Sequence, residues 1–280
     1  MNIKITADST CDLSPRLVEE NGIQIVPLYV TKEGKSYRDG VEIVPQDIFD
    51  YVAAGNDPCK TAAVSVGDYA DIFASLSREY DAVIHLNISA ELSSCYQNAC
   101  IAAEEFGNVY PVDTRNLSTG SGHVVLEAAR LVREGLSAPE IVERLNEYVQ
   151  KVEASFLIDK LEYLKKGGRC SSLAALGANL LSLKPCIEVV DGKMQVGKKY
   201  RGKFGACLVS YVKERLADRD DLREDLIFVT HTPCDEGVVE MVEETVRAQG
   251  KFKTLERTSA GCTISSHCGP NTLGILFVRK

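Results

Sequence analysis

The sequence predicts an α/β protein in two parts, a doubly wound parallel sheet followed by a mixed or antiparallel α+β unit. Three observations predict it. Short β-branched runs alternate with helical periodicity through the first half, the rhythm of a parallel sheet covered by helices. From about Ala154 strand-like stretches crowd together, and Val190-Asp191-Gly192-Lys193 carries the Asp-Gly signal of a tight hairpin. The 280 residues, 45% of them hydrophobic, suit one large α/β domain or two medium ones. The division is expected at 1–152 and 153–280, on the change of pattern alone.

The elements follow in order. Ile3–Ala7 reads as a strand ending in Asp8, Ser9, Thr10 and Asp12. Ser14-Pro15 starts a helix with Pro at its first position. Ile23–Val30 is a second apolar run, and Lys32-Glu33-Gly34-Lys35 and Asp39-Gly40 read as turns. Gln46–Val52 and Tyr69–Tyr80 read as helices. Ala82–Ile88 has the near-continuous apolar character of a buried parallel strand. Ser93–Phe106 reads as a helix, Val109–Val112 as a strand and Gly122–Arg133 as a helix. Ser137-Ala-Pro-Glu140 is a capping box. Strands are then expected at Ser155–Ile158, Cys186–Val190, Met194–Lys198, Leu226–Thr230, Phe252–Glu256 and Leu273–Val278, with helices at Cys207–Leu216 and Val238–Ala248.

Composition excludes several classes. With 32 basic and 40 acidic residues the net charge is −8, which disfavours a nucleic-acid partner. The chain has no apolar run long enough to span a membrane, and MNIKITADST lacks the make-up of a signal peptide. The ten cysteines form no CxxC pair and are expected as buried thiols in a reducing cytoplasm. No metal or cofactor site is expected from their spacing. The P-loop, GxSxG and HExxH patterns are absent.

Hydroxyls and carboxylates collect after the expected strands, where open α/β sheets bind ligands. Ser93 and Ser94 stand at a helix start, where they either cap the helix or hold an anion with the free N–H groups. Asp8 and Asp12 read as turn and cap residues. Gly120-Ser-Gly122 has the start of a phosphate loop without its third glycine. Lys165-Lys-Gly-Gly-Arg169 reads as a basic loop after a short helix at Leu161–Leu164, either solvated or closing on an anion. His85 reads as a strand histidine, and His267 as a loop residue available to a ligand.

Taken together, these segments resemble the DegV family of bacterial two-domain, fatty-acid-binding proteins. The resemblance rests on ITADSTCDL (Ile5–Leu13), IQIVPLYV (Ile23–Val30), YRDG (Tyr37–Gly40), Lys60-Thr61 and ISAELSSCYQNA (Ile88–Ala99). It continues through VDTRNLSTGSG (Val112–Gly122), LEYLKKGGR (Leu161–Arg169), LKP (Leu183–Pro185) and HCGPNTLGILF (His267–Phe277). It implies a Rossmann-like first domain, a mixed-sheet second domain and a lipid between them. It also implies that the protein has no catalytic site of its own, presenting the acid to a separate ATP-dependent fatty acid kinase that phosphorylates its carboxylate. On that resemblance Thr61, Ser93 and Ser94 would hold the carboxylate, while Arg169 and His267 would lie near the head group or meet the kinase. Membrane insertion is not expected, although a transient contact with a membrane surface is compatible with a lipid ligand.

Three stretches depart from the family pattern. Leu92-Ser-Ser-Cys-Tyr-Gln97 replaces LSGTYQ and puts Ser94 where glycine would permit a positive φ. Lys60-Thr-Ala-Ala-Val-Ser65 stands for a pattern nearer KTSQPS, and Ser265-Ser266-His267-Cys268 for GTHT.

A tail of about 15 CH2 groups at ~0.8 kcal/mol each would supply roughly 12 kcal/mol before ordering costs, so hydroxyls would orient the ligand more than they bind it. Phe156, Leu157, Leu173, Leu176, Leu180, Leu181 and Ile187 are expected to form either the sleeve or plain core. The competing readings are a hydrolytic or phosphotransfer enzyme acting on a small acidic substrate, and a scaffold that binds partners through its acidic surface.

Overall fold

A computed structural model describes residues 1–172 and 183–280. The chain runs β1 (Ile3–Asp8), α1 (Pro15–Glu20), β2 (Gln24–Val26), β3 (Tyr29–Lys32), β4 (Lys35–Arg38) and α2 (Pro45–Ala53). It continues through β5 (Lys60–Ala62), α3 (Val66–Glu79), β6 (Ala82–Asn87), α4 (Cys95–Ala103), β7 (Val109–Asp113), α5 (Ser118–Arg133) and α6 (Ala138–Tyr148). Then follow β8 (Val152–Ile158), α7 (Leu161–Gly167), β9 (Leu183–Val190), β10 (Lys193–Arg201) and α8 (Phe204–Leu216). The chain ends with β11 (Leu222–His231), α9 (Glu236–Ala248), β12 (Thr254–Ser259), α10 (Cys262–Cys268) and β13 (Thr272–Arg279).

The four-stranded sheet has order β2-β1-β6-β7 and is parallel throughout. All six residues of β6 are buried, as befits a strand covered on both faces. The six-stranded sheet, β10-β9-β8-β13-β11-β12, is mixed, with β11 and β12 its one parallel pair. Both expected sheets are therefore present. The Asp-Gly hairpin also forms, with Asp191 at φ 51° and Gly192 at φ 81°, as its two-residue turn requires.

A third sheet, β4-β3-β5, is antiparallel and was not expected. The apolar run Ile23–Val30 divides at Pro27, which has no N–H to give a ladder. The part before it pairs with β1 and the part after it starts the new sheet. This small sheet sets β5, and with it Thr61, at the edge of the site.

Three further expectations change. Helix α5 begins at Ser118, so Gly120-Ser-Gly122 lies in its buried first turn and is no phosphate loop. A Cβ on Gly120 would strike the Asn116 side chain, and one on Gly122 would come within 2.9 Å of the Cys11 carbonyl and Leu13. These glycines permit close packing. Lys165 and Lys166 belong to the last turn of α7, where cations suit the helix dipole, and Gly168 ends the helix at φ 68°. His267 stands on α10 instead of a loop.

One apolar cluster joins the sheets and contains Leu28, Phe73 and Leu92 together with Phe156, Ile187, Met194 and Ile264. Leu157 faces the other way, into the cluster with α8 and α9, because neighbouring strand residues point to opposite faces. It therefore drops out of the expected sleeve. Leu173, Leu176, Leu180 and Leu181 lie outside the described residues. All ten cysteines are free thiols, eight of them buried. Among the described residues no helix is long and apolar enough to cross a membrane, and no cluster of potential metal ligands occurs.

Candidate functional site

The site is assembled by three short segments that long-range hydrogen bonds hold in place. Strand β5 alternates outward and inward, so Lys60 is exposed while Thr61 is half-buried. The turn carrying Ser93 leaves β6 under tight control. Asp8, 1% exposed, accepts hydrogen bonds from the Ile88 N–H (3.0 Å), the Asn87 amide and the Tyr69 hydroxyl (2.8 Å). Ser89 donates to the Gly192 carbonyl at 2.8 Å and so ties this turn to the β9–β10 hairpin of the mixed sheet. Asp8 thus braces a distant loop and is not the local cap that the sequence suggests.

The third segment, α10, is held at its start by two buried carboxylates from the first half. Asp39 accepts from the Cys262 and Thr263 N–H groups at 2.7 and 3.0 Å. Asp12 accepts from Gly261 N–H at 2.8 Å and from the Ser118 hydroxyl at 2.6 Å. Asp12 is a cross-fold link as well as a turn residue. Burial pushes its carboxyl up to about 8, against the lowering effect of those two donors.

Thr61, Ser93, Ser94, Arg169 and His267, all singled out from the sequence, line one cavity of about 100 Å³. The rest of its wall is mainly apolar and includes Leu28, Ile88, Leu92, Leu117, Met194 and Ile264. Leu117, Ile264 and Cys268 also line a smaller cavity of about 20 Å³ that reaches Phe156. On the other side Thr61, Arg169 and His267 are shared with an open recess of about 470 Å³, which Lys60, Lys166 and Asp57 border. The path therefore leads from a basic mouth, past hydroxyls, into an apolar interior.

The polar groups differ in how well they are satisfied. Thr61 Oγ1 lies 2.8 Å from His267 Nε2, and His267 Nδ1 is buried without a partner. Burial, then the charge of Arg169, pulls His267 down to about 4, so its ring is neutral at pH 7. Ser93 Oγ accepts from the Cys95 N–H at 3.3 Å and donates to the Cys95 sulfur at 3.2 Å, a weak acceptor. Ser94 is exposed and caps no N–H through its side chain. Its φ of −78° suits serine, so the replaced glycine imposes no strain here. Arg169 is exposed and donates to the Gly167 carbonyl at 2.8 Å. Lys166 pairs with Asp57 at 2.9 Å.

Sequence reasoning missed Thr263, which lines the same cavity. The signal was its spacing of four from His267, which has meaning only once that segment is known to be a helix. A constellation suited to hydrolysis, Thr6–His85–Asp8, does exist: His85 Nδ1 lies 2.7 Å from Thr6 Oγ1 and Nε2 lies 3.3 Å from Asp8. All three residues are at most 1% exposed, so none is open to a substrate.

Fold and site define an α/β protein of two large sheets and one small one, with an apolar cavity behind a hydroxyl-lined, basic mouth. The family described as "Uncharacterised protein, DegV family" matches residues 2–280, and the chain belongs to that family. A DegV domain-containing protein of Caldanaerobacter subterraneus is 32% identical over 282 residues, with 99% of each chain covered. Among solved structures, a DegV family protein of Thermus thermophilus, described by its fatty acid binding, aligns over 100% of both chains with TM-score 0.90 and 32% identity. A stearic acid-binding protein of Eubacterium ventriosum aligns over 99% of this chain and 98% of its own, with TM-score 0.84 and 26% identity.

Proposed function

We propose that this protein binds a long-chain fatty acid, with its tail in the apolar cavity and its carboxylate at Thr61, Ser93 and Ser94 beside His267. One observation carries the reading: Thr61, Ser93, Ser94, Arg169 and His267 line the same largely apolar cavity, and three of them also border a recess with Lys60 and Lys166. The fatty acid binding described for similar structures supports it. The cavities of about 100 and 20 Å³ are smaller than the ~300 Å³ at which ligand pockets usually begin, so the walls part to admit a tail.

The neutral His267 gives Thr61 its role. With Nε2–H donating to Thr61 Oγ1, the threonine proton is free to donate to the ligand carboxylate, and only a lone pair is left unpaired at Nδ1. Ser93 exchanges its weak sulfur contact for a charged acceptor, which is the stronger bond. Arg169 and Lys166 at the mouth face the approach of a partner.

The protein then acts as the binding subunit for a separate ATP-dependent kinase. The carboxylate oxygen attacks the γ-phosphorus of ATP bound to that kinase, and ADP leaves. Because the head group sits at the mouth, an incoming nucleotide site can reach it in line.

Native mass spectrometry of the purified protein tests the ligand, and an adduct of long-chain fatty-acid mass is expected. Ser93→Ala weakens or misorients the lipid while the fold survives, because the side chain makes only local contacts. Unchanged retention with normal phosphorylation would remove the head-group assignment. Arg169→Ala spares lipid binding and slows phosphorylation, and a kinase rate equal to wild type would remove the docking role.

A further inference from the structure

Thr263 is 5% exposed, lines the central cavity, and its hydroxyl has no hydrogen-bond partner. A threonine within a helix usually returns its hydroxyl to the carbonyl four residues back. Here α10 begins at Cys262, so that residue is Ser259, still in β12. The backbone of Thr263 is fixed by its N–H bond to Asp39, and a β-branched side chain has little rotamer freedom with which to find another partner. Leu28, Ala63, Ile88 and Ile264 share the cavity lining and offer it no side-chain acceptor, and none of the polar lining residues, Thr61, Ser93, Ser94 and His267, bonds to it. A buried hydroxyl left unpaired is destabilising, a penalty that a ligand oxygen would remove.

Its position shows where that oxygen would lie. Thr263 and His267 are four residues apart on one helix, on the same face and about 6 Å apart along the axis. A carboxylate held beside His267 therefore puts the first few carbons of its chain, rather than the distal tail, next to Thr263. We propose that Thr263 is a specificity residue whose hydroxyl selects fatty acids bearing a hydroxyl within the first few carbons of the carboxylate. This rests on the fatty-acid reading and adds the chemical class of the acid.

The test compares palmitate, 3-hydroxypalmitate, stearate and 12-hydroxystearate on the delipidated full-length protein by calorimetry. The wild type is expected to bind 3-hydroxypalmitate about five- to tenfold tighter than palmitate, the gain from one recovered hydrogen bond. It is expected to show no such gain for 12-hydroxystearate over stearate. Thr263→Val, nearly isosteric, abolishes the preference, and Thr263→Ser keeps it. Equal affinity of the wild type for palmitate and 3-hydroxypalmitate would overturn the proposal, as would a preference that survives in Thr263→Val. Either result leaves the fatty-acid reading standing. Failure to bind any of the four acids would overturn both.

Discussion

At the residue scale the site depends on how closely two segments approach. Gly167 closes α7 against the His267 ring, and a Cβ there would strike Nδ1, with the neighbouring ring carbons 3.3 and 3.4 Å away. Alanine is otherwise favoured over glycine in a helix by about 0.5–1 kcal/mol, so the helix itself would gain. Gly167→Ala is therefore expected to displace the imidazole and break the Thr61 bond. Lipid affinity falls about tenfold, roughly the value of one hydrogen bond and its geometry, with little change in melting temperature. NMR of the His267 ring and a lipid titration check this, and an unmoved ring with full affinity would show that the contact is not limiting. Ser93 was visible in the sequence as a hydroxyl at a helix start, and Thr61 through the resemblance to the DegV family. The steric role of Gly167 was hidden, because its partner is 100 residues away and on a helix that the sequence presents as a loop.

At the element scale α10 is the weakest piece with the most to do. Its seven residues are too few to be stable alone. What keeps it in place is Asp39, 223 residues distant from Cys262, which takes two of its N–H groups and also the Ser9 hydroxyl at 3.2 Å. Asp39→Ala leaves two buried N–H groups unpaired and is expected to cost about 2–5 kcal/mol in urea unfolding, with lipid retention lost in parallel. Asp39→Asn keeps one acceptor oxygen and costs less. Equal unfolding midpoints for wild type and Asp39→Ala would mean that α10 is held by packing alone. Asp39-Gly40 was readable as a turn, and Gly40 does adopt φ 72°. That the same aspartate seats a distant helix could not be read, since local patterns report caps and turns but not which far segment they receive.

For the whole molecule, strand and helix alternation made both large sheets readable, and the Asp-Gly turn made the hairpin readable. The three-stranded sheet was not, because one proline divided what the pattern shows as a single strand. The packing that results buries ionisable groups of opposite tendency, and this gives the fold a pH optimum. His123 and His267 are both pulled down to about 4 by burial. Below their ordinary value of 6.5 the unfolded chain takes up protons that the folded chain refuses, so stability falls as pH drops from 6.5 towards 4. Asp12 works the other way. Raised from 3.8 to about 8, it keeps a proton in the folded state that the unfolded chain has released. Its contribution is complete below the unfolded value and is lost as pH rises through about 8. Between 4 and 6.5 the two histidines outweigh the one carboxyl. Between 6.5 and 8 Asp12 acts without them, and stability declines by up to about 1.4 kcal/mol per pH unit. The melting temperature is therefore expected to peak near pH 6.5. Asp12→Asn keeps an acceptor for the Gly261 N–H and reverses the second bond, its amide donating to the Ser118 hydroxyl that Asp12 accepts from, and should remove the decline on the alkaline side while leaving the acid side intact. A wild-type melting temperature that is flat from pH 6.5 to 8 would show that Asp12 is already ionised in the folded protein, and that its two donors outweigh its burial.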